Sequence, residues 1–325
     1  MRIVVLGAGG IGGYYGARLQ AAGHQVCFVA RGAHLAAMQQ QGLTVKHPAF
    51  TQNLAVDACS LDALAAKFPP KSVDLVLLAA KSDATASMLY ALKNWLEAGS
   101  MAVMSLQNGV DNEAAISQVV GEARTLGGLA VFISGHVVAP GKVQAHGNGE
   151  LVYGAWPNVN NRPMATLAQQ LAPLFSDAGI KGVASDDIRR ELWRKLMINN
   201  GVNPITALTG FRHDQVYAKP ALANTVRQLM REVALASTAE GVNLSEADVE
   251  ALFARVGAFP SMKTSMLVDR EKGRPMELDA ICGAVLTRVA SLGKTAPVTE
   301  LLYGLLKDNI TSLPSPDAFA SPLKN

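Results

Sequence analysis

Four nearly unbroken apolar runs occupy residues 3–6, 25–30, 74–79 and 101–106, and small or polar residues close each one. Short continuous apolar runs with turn residues at their ends predict strands buried on both faces, as in a parallel sheet. Helical periodicity falls between them, from Gly16 to Leu19 and over 84–96, 112–120 and 164–177, and a further strand is expected over 125–133. That alternation predicts an α/β fold, a Rossmann-type doubly wound parallel sheet. Between 134 and 154 the pattern changes to glycine-rich short strands (Gly141-Lys142-Val143 and Gly149-Glu150-Leu151-Val152-Tyr153), which predict an antiparallel edge on that sheet. From Asp186 onward alanine, leucine, methionine and arginine dominate and β-branched runs are few, so a carboxy-terminal all-α domain is expected. The boundary is placed near 185, giving domains 1–185 and 186–325, with a disordered tail expected from about 311, where serine and proline replace any periodicity.

The first predicted strand runs into Gly7-Ala8-Gly9-Gly10-Ile11-Gly12, a G-x-G-x-x-G sequence leading into a small-residue helix. In such a loop Gly7 permits the tight turn, Gly9 lets backbone approach a pyrophosphate, and Gly12 allows close helix–strand packing. Free N–H groups and the helix dipole favour an anion at that helix start. As an ordinary structural turn the motif would need no ligand. Its setting, strand–turn–helix–strand within the first thirty or so residues, favours a dinucleotide. The second strand ends at Arg31, where an NAD-binding chain would carry an acid for the ribose hydroxyls. A guanidinium can fork onto a 2′-phosphate, so NADPH/NADP+ is the expected cofactor. The opening residues superficially resemble a secretory leader, but glycine interrupts their apolar run and the nucleotide loop explains more of them.

Composition narrows the classes. Hydrophobic residues make up 49% and charged residues 17%, enough for well-filled cores, and no apolar run approaches the ~18–20 residues of a membrane span. The net charge of +3 is not gathered into a basic tract, which argues against nucleic acid. The three cysteines, Cys27, Cys59 and Cys282, form no CxxC pair, so reduced thiols and a cytoplasmic protein are expected. The six histidines include no HxxxH pair, and no metal is expected.

Ligands of open parallel sheets bind outside the carboxyl ends of the strands. Arg31, Lys81 and Asn108 fall at such ends. Lys81 could add positive charge near the adenosine phosphate or be an ordinary loop lysine. Asn108 could lie nearer the nicotinamide end or simply cap a turn before Gly109. In the helical half, Lys195, Asn199 and Asn203 follow one another at intervals of four. At ~100° per residue each step drifts by only about 40°, so they share one helix face among Leu192, Leu196 and Met197. Pro204 disfavours helical backbone at Asn203, placing it at a helix end or kink. Such a stripe suits a substrate cleft, or else a solvated face. Further on, the Gly273–Pro275 break separates two helices, with Pro275 and Glu277 expected in the first turn of the second. By chemistry alone Glu277 reads as a dipole-favoured surface acid and Ser265 as an ordinary helix serine.

Together these residues resemble the ketopantoate reductase family: the amino-terminal glycine motif with Gly13 and Gly16, Trp193-x-Lys195-x-x-x-Asn199-x-x-x-Asn203-Pro204, Ser265-Met-Leu-x-Asp269, and Glu277-x-Asp279. The resemblance spans nearly the whole chain apart from the tail. It implies a Rossmann domain followed by a helical one, with the active site in the cleft between them. It also implies roles: Lys195 as general acid to the ketone oxygen, Asn108 orienting nicotinamide or substrate, Asn199, Asn203 and Ser265 holding the substrate's polar groups, and Glu277 binding its hydroxyl. The expected reaction is NADPH-dependent reduction of 2-dehydropantoate to pantoate, with a homodimer left open. A related enzyme acting on another 2-oxo or 2-hydroxy acid, and a non-catalytic NADP(H) sensor, are the alternatives.

Overall fold

The computed structural model describes residues 1–308; the tail expected from about 311 lies outside them. Ten strands form one sheet: β1 (Arg2–Leu6), β2 (Gln25–Val29), β3 (Leu43–His47), β4 (Phe50–Leu54), β5 (Asp57–Cys59), β6 (Leu75–Leu78), β7 (Ala102–Ser105), β8 (Thr125–Ala139), β9 (Lys142–Ala155) and β10 (Gly182–Ala184). Their order is β4-β3-β9-β8-β7-β6-β1-β2-β5, with β10 also paired to β9. All neighbours run parallel except β3 with β4 and β8 with β9. Alternation along β1 sends Ile3 and Val5 into one apolar cluster, and Val4 and Leu6 into another on the opposite face. Leu75 and Leu77 in β6 divide from Val76 and Leu78 in the same way. Burial on both faces is why these strands read as continuous apolar runs.

Three expectations need correcting. The segment after 134 is antiparallel, but it is no edge: β8 and β9 form one long hairpin, and β9 bonds to β3 through residues 142–144 and to β10 through 151–153. Its glycines serve close approach within the fold, Gly149 lying under the Tyr14 ring and Gly135 against Gly10. The helix expected over 84–96 is two, Thr85–Ala91 and Lys93–Glu97, because Leu92 leaves helical geometry. Finally, the helix carrying Asn203 does not end there. It runs Ile188–Thr209 with Pro204 inside it, held by burial of Val202, Ile205 and Ala207 on both sides of the proline.

Backbone contacts divide the chain into Met1–Leu192 and Trp193 onward, a division that falls inside the helix Ile188–Thr209. Every regular element among the second unit's described residues is a helix, consistent with the ketopantoate-reductase-like expectation of an α/β unit followed by a helical one. Its central helix, Pro220–Ser237, buries Val226, Leu229, Met230 and Val233. Glycine at 201 lets the helix Ile188–Thr209 lie close to it, since a Cβ there would stand 3.0 Å from the Met230 side chain. No described helix is long and apolar enough to cross a membrane.

The helix Asn112–Val120 follows the Asn108 loop and is seated by an unusual residue. Glu113 is fully buried, near Ser105 and the glycines of β8. Burial, followed by the nearby Asp111 charge, pushes its carboxyl from 4.5 up to about 8. Between those values the folded protein holds a proton that the unfolded chain has released, so this group's stabilisation is lost as pH rises through that window. The slope cannot exceed about 1.4 kcal/mol per pH unit. Glu113→Gln should therefore gain stability relative to wild type when urea unfolding is compared at about pH 5 and about pH 8.5. Parallel pH profiles for the two proteins would show that Glu113 is already ionised in the fold.

Candidate functional site

The strand order β7-β6-β1-β2 sets four candidate positions in a row along one end of the sheet. Asn108 follows β7, Lys81 follows β6, the glycine loop follows β1, and Arg31 follows β2. Arg31 and Lys81 therefore flank the glycine loop instead of sitting side by side. Arg31 is exposed, starts the helix Gly32–Gln41 in extended backbone, and its guanidinium makes no hydrogen bond to a described residue. Lys81 and Asn108 are half-buried.

The glycine loop is shaped by what its residues lack. Gly7 has φ +101°, and a Cβ there would fall 2.6 Å from the Ala80 nitrogen. Gly7 and Ala8 both donate to the Val29 carbonyl, at 3.2 and 2.9 Å, which folds the loop back over the end of β2. A Cβ at Gly12 would lie 2.1 Å from the Gly7 oxygen, so the helix Gly10–Ala21 starts directly against β1, with Ile11 in its first turn. Gly10 touches Gly135 of β8, where a Cβ would stand 1.9 Å from a carbonyl oxygen. Gly9 differs: a Cβ there would meet nothing within 4 Å, and its φ of −72° suits any residue. Open space above Gly9, beside a helix N-terminus with no side-chain cap, fits the pyrophosphate of a dinucleotide.

The loops bearing Lys81 and Asn108 are tied by residues that sequence reasoning did not single out. Buried Gln107 donates to the carbonyls of Ala80 (2.9 Å) and Lys81 (3.1 Å). Thr85 and Asn112 complete the network, with Thr85 Oγ1 2.9 Å from Asn112 Oδ1 and Asn112 donating to the Asn108 carbonyl at 2.8 Å. Ser82 donates to that same carbonyl at 2.6 Å. The one available signal was a glutamine directly after a buried strand, a polar residue that must find partners if it stays inside.

In the helical unit, Lys195, Asn199 and Asn203 lie on one continuous helix. Lys195 and Asn199 are half-buried and Asn203 is buried, its side-chain nitrogen without a hydrogen-bond partner among the described residues. Both ends of this segment are clamped. Trp193 Nε1 donates to Glu240 (3.2 Å), which Arg288 grips at 2.9 and 2.6 Å. At the other end, Arg270 donates to the carbonyls of Ala207 and Leu208, and Thr206 meets Thr264 at 2.6 Å. Thr264 caps the helix Ser265–Glu271, so exposed Ser265 starts the element docked beside the Asn203 end of the stripe. Pro275 is not in a helical turn, because the chain stays non-helical from 274 to 277. Half-buried Glu277 stands just ahead of the helix start at Leu278, its carbonyl accepting from Ile281, and a π-turn Asp279–Gly283 follows. The proline fixes its own φ without nucleating the turn, since Asp269 already captures the Arg274 N–H at 2.8 Å.

Comparison with known proteins matches residues 3–158 to the family model Ketopantoate reductase PanE/ApbA and residues 187–309 to Ketopantoate reductase PanE/ApbA C terminal. A 2-dehydropantoate 2-reductase of Mesorhizobium japonicum is 32% identical over 94% of this chain and 97% of its own. A PanE/ApbA family ketopantoate reductase from Ralstonia eutropha JMP134 superposes with a TM-score of 0.82 at 30% identity, covering 96% of this chain and all of that one. The same fold occurs in D-mandelate dehydrogenase solved with NADH and anilino(oxo)acetate, with a TM-score of 0.85 at 21% identity over 96% of this chain and 100% of that one.

The contrast within the glycine loop is testable. Gly9→Ala should keep the wild-type unfolding midpoint yet bind dinucleotide about tenfold or more weakly, because the methyl enters only the space left for the ligand. Gly10→Ala should lose about 2–4 kcal/mol of stability, because the methyl meets backbone that cannot yield. Thermal unfolding with a dinucleotide titration separates the two, and equal midpoints would contradict the Gly10–Gly135 contact.

Proposed function

This chain belongs to the ketopantoate reductase family, and we propose that it reduces 2-dehydropantoate to (R)-pantoate with NADPH, a step of pantothenate synthesis. The observation that carries this reading is the Lys195–Asn199–Asn203 stripe, a cation and two amides spaced along one helix face, ending in a buried amide whose nitrogen has no hydrogen-bond partner among the described residues. An unpaired buried donor is expensive unless a ligand completes it. When bound, NADPH supplies the hydride that reduces the keto carbon. Arg31 forks onto its 2′-phosphate, the Gly7–Gly12 loop and helix start take its pyrophosphate, and Lys81 and Asn108 hold its further reach.

Negative charge builds on the ketone oxygen as the carbon is reduced. The Lys195 ammonium stabilises that charge and donates the proton that completes the alcohol. Asn199, Asn203 and Ser265 hold the substrate's carboxylate and neighbouring oxygen through their donors. Glu277 accepts a hydrogen bond from the primary hydroxyl, the group that most simple 2-oxo acids lack. The three cysteines are free and buried, in keeping with a reducing compartment such as the cytoplasm.

Lys195→Ala should lower kcat by ~10²–10⁴-fold, the usual range for general acid catalysis, and leave the NADPH Kd nearly unchanged. Near-normal turnover in a folded variant would remove Lys195 from the chemistry. Substrate identity is read with 2-dehydropantoate and its hydroxyl-lacking analogue 2-oxo-3,3-dimethylbutyrate. Wild type should favour the former by about tenfold to several hundredfold in kcat/KM, and Glu277→Ala should shrink that ratio by impairing 2-dehydropantoate selectively. Equal rates on both compounds with wild type would point to a different 2-oxo acid.

A further inference from the structure

His34 lies in the first turn of the helix Gly32–Gln41, half-buried and three positions past Arg31. Its two ring nitrogens reach two separate parts of the fold. Nδ1 is 3.0 Å from the backbone nitrogen of Gly141, in the turn between β8 and β9. Nε2 is 2.8 Å from the carbonyl oxygen of Ala8, inside the glycine loop. A backbone N–H only donates and a carbonyl only accepts, so this geometry selects the neutral imidazole with its proton on Nε2.

The contacts close a circuit. Ala8 donates to Val29 at the end of β2, β2 leads through Ala30 to Arg31, and Arg31 begins the helix whose first turn returns through His34 to Ala8. Leu35 donates to the Arg31 carbonyl at 3.3 Å, so the backbone of Arg31 is part of the same turn. That helix has no side-chain cap at its start, which leaves His34 as a direct tie between its first turn and the loop. The bond to Gly141 braces the ring from the far side.

We propose that His34 is a positioning residue for the dinucleotide, setting the separation between the glycine loop and Arg31 so that the pyrophosphate and 2′-phosphate contacts form together. It would thereby govern the choice between NADPH and NADH. The inference rests on the reading of Arg31 as the 2′-phosphate ligand. A residue that merely supported the fold would affect both cofactors alike, whereas one that places Arg31 affects the phosphorylated cofactor more.

The test is a fluorescence titration of NADPH and NADH against wild type, Arg31→Ala, His34→Ala, His34→Gln and His34→Asn, with thermal unfolding of each. Wild type should prefer NADPH, and Arg31→Ala sets the floor of that preference. His34→Ala should reduce the preference by about fivefold to fiftyfold, the scale of one or two neutral hydrogen bonds. His34→Gln, which offers an acceptor and a donor, should recover most of it. His34→Asn keeps an acceptor for Gly141 but is too short for Ala8, so it should lose the preference, and it carries the test if the alanine variant does not fold. A selective wild type whose preference survives in His34→Ala or His34→Asn overturns the inference alone, whatever happens to the unfolding midpoint. A wild type without any preference overturns the Arg31 reading and this inference with it, and that result is visible before any variant is made.

Discussion

Backbone against backbone at Gly10 and Gly135 is the contact on which the amino-terminal unit turns. A Cβ at either position would stand 1.9 or 2.6 Å from the other's carbonyl oxygen, so no residue but glycine can occupy them without displacing a strand or a helix. Their approach lets the β8–β9 hairpin lie across the start of the helix Gly10–Ala21. The sheet then continues past that helix, through β9 to β3 and β4, and carries the Gly141 turn to His34. The glycine loop is thus held from below by β1 and from the side by a hairpin more than a hundred residues later in the chain.

The helical unit solves a different problem, that of keeping polar groups inside. Glu232 is buried, yet it accepts from the Val298 and Thr299 nitrogens at 3.1 and 2.8 Å and from the Thr299 hydroxyl at 2.7 Å. It sits at the start of the helix Pro297–Asp308, where free N–H groups and the dipole favour an acid. Asn200 joins through Thr299 at 3.0 Å, linking this cap to the helix that bears Lys195. Glu113 in the other unit shows the alternative outcome: there burial outweighs the donors nearby and favours the protonated form.

What the sequence made legible was whatever is encoded locally. The runs at β1, β2, β6 and β7 announce burial on both faces, the glycine loop announces its turn, and spacing by four places Lys195, Asn199 and Asn203 on one helix. Features made by distant partners were not legible. β3, β4 and β5 are short, and β4 is half-exposed at alternate positions, so no apolar run marks them. The length of β8 and β9 was hidden by glycines whose use appears only when Gly10 or Tyr14 is set against them. His34 and Gln107 act through single bonds to backbone carbonyls elsewhere in the fold, for which no spacing rule exists. Pro204 misled because local preference argued for a helix end while apolar packing on both sides argued for continuation, and packing won.

The order of the strands also decides what the sheet offers at its rims. The sheet path ends at β4 and β5, of five and three residues, and the side strand β10 has three. β4 carries Thr51, Gln52 and Asn53 in its middle. An exposed strand recruits another molecule when it is long, flat and apolar, and rims this short deny it that template. Crowded in a cell, such molecules gain little by extending one another's sheets, so fibrous self-association through these rims is disfavoured.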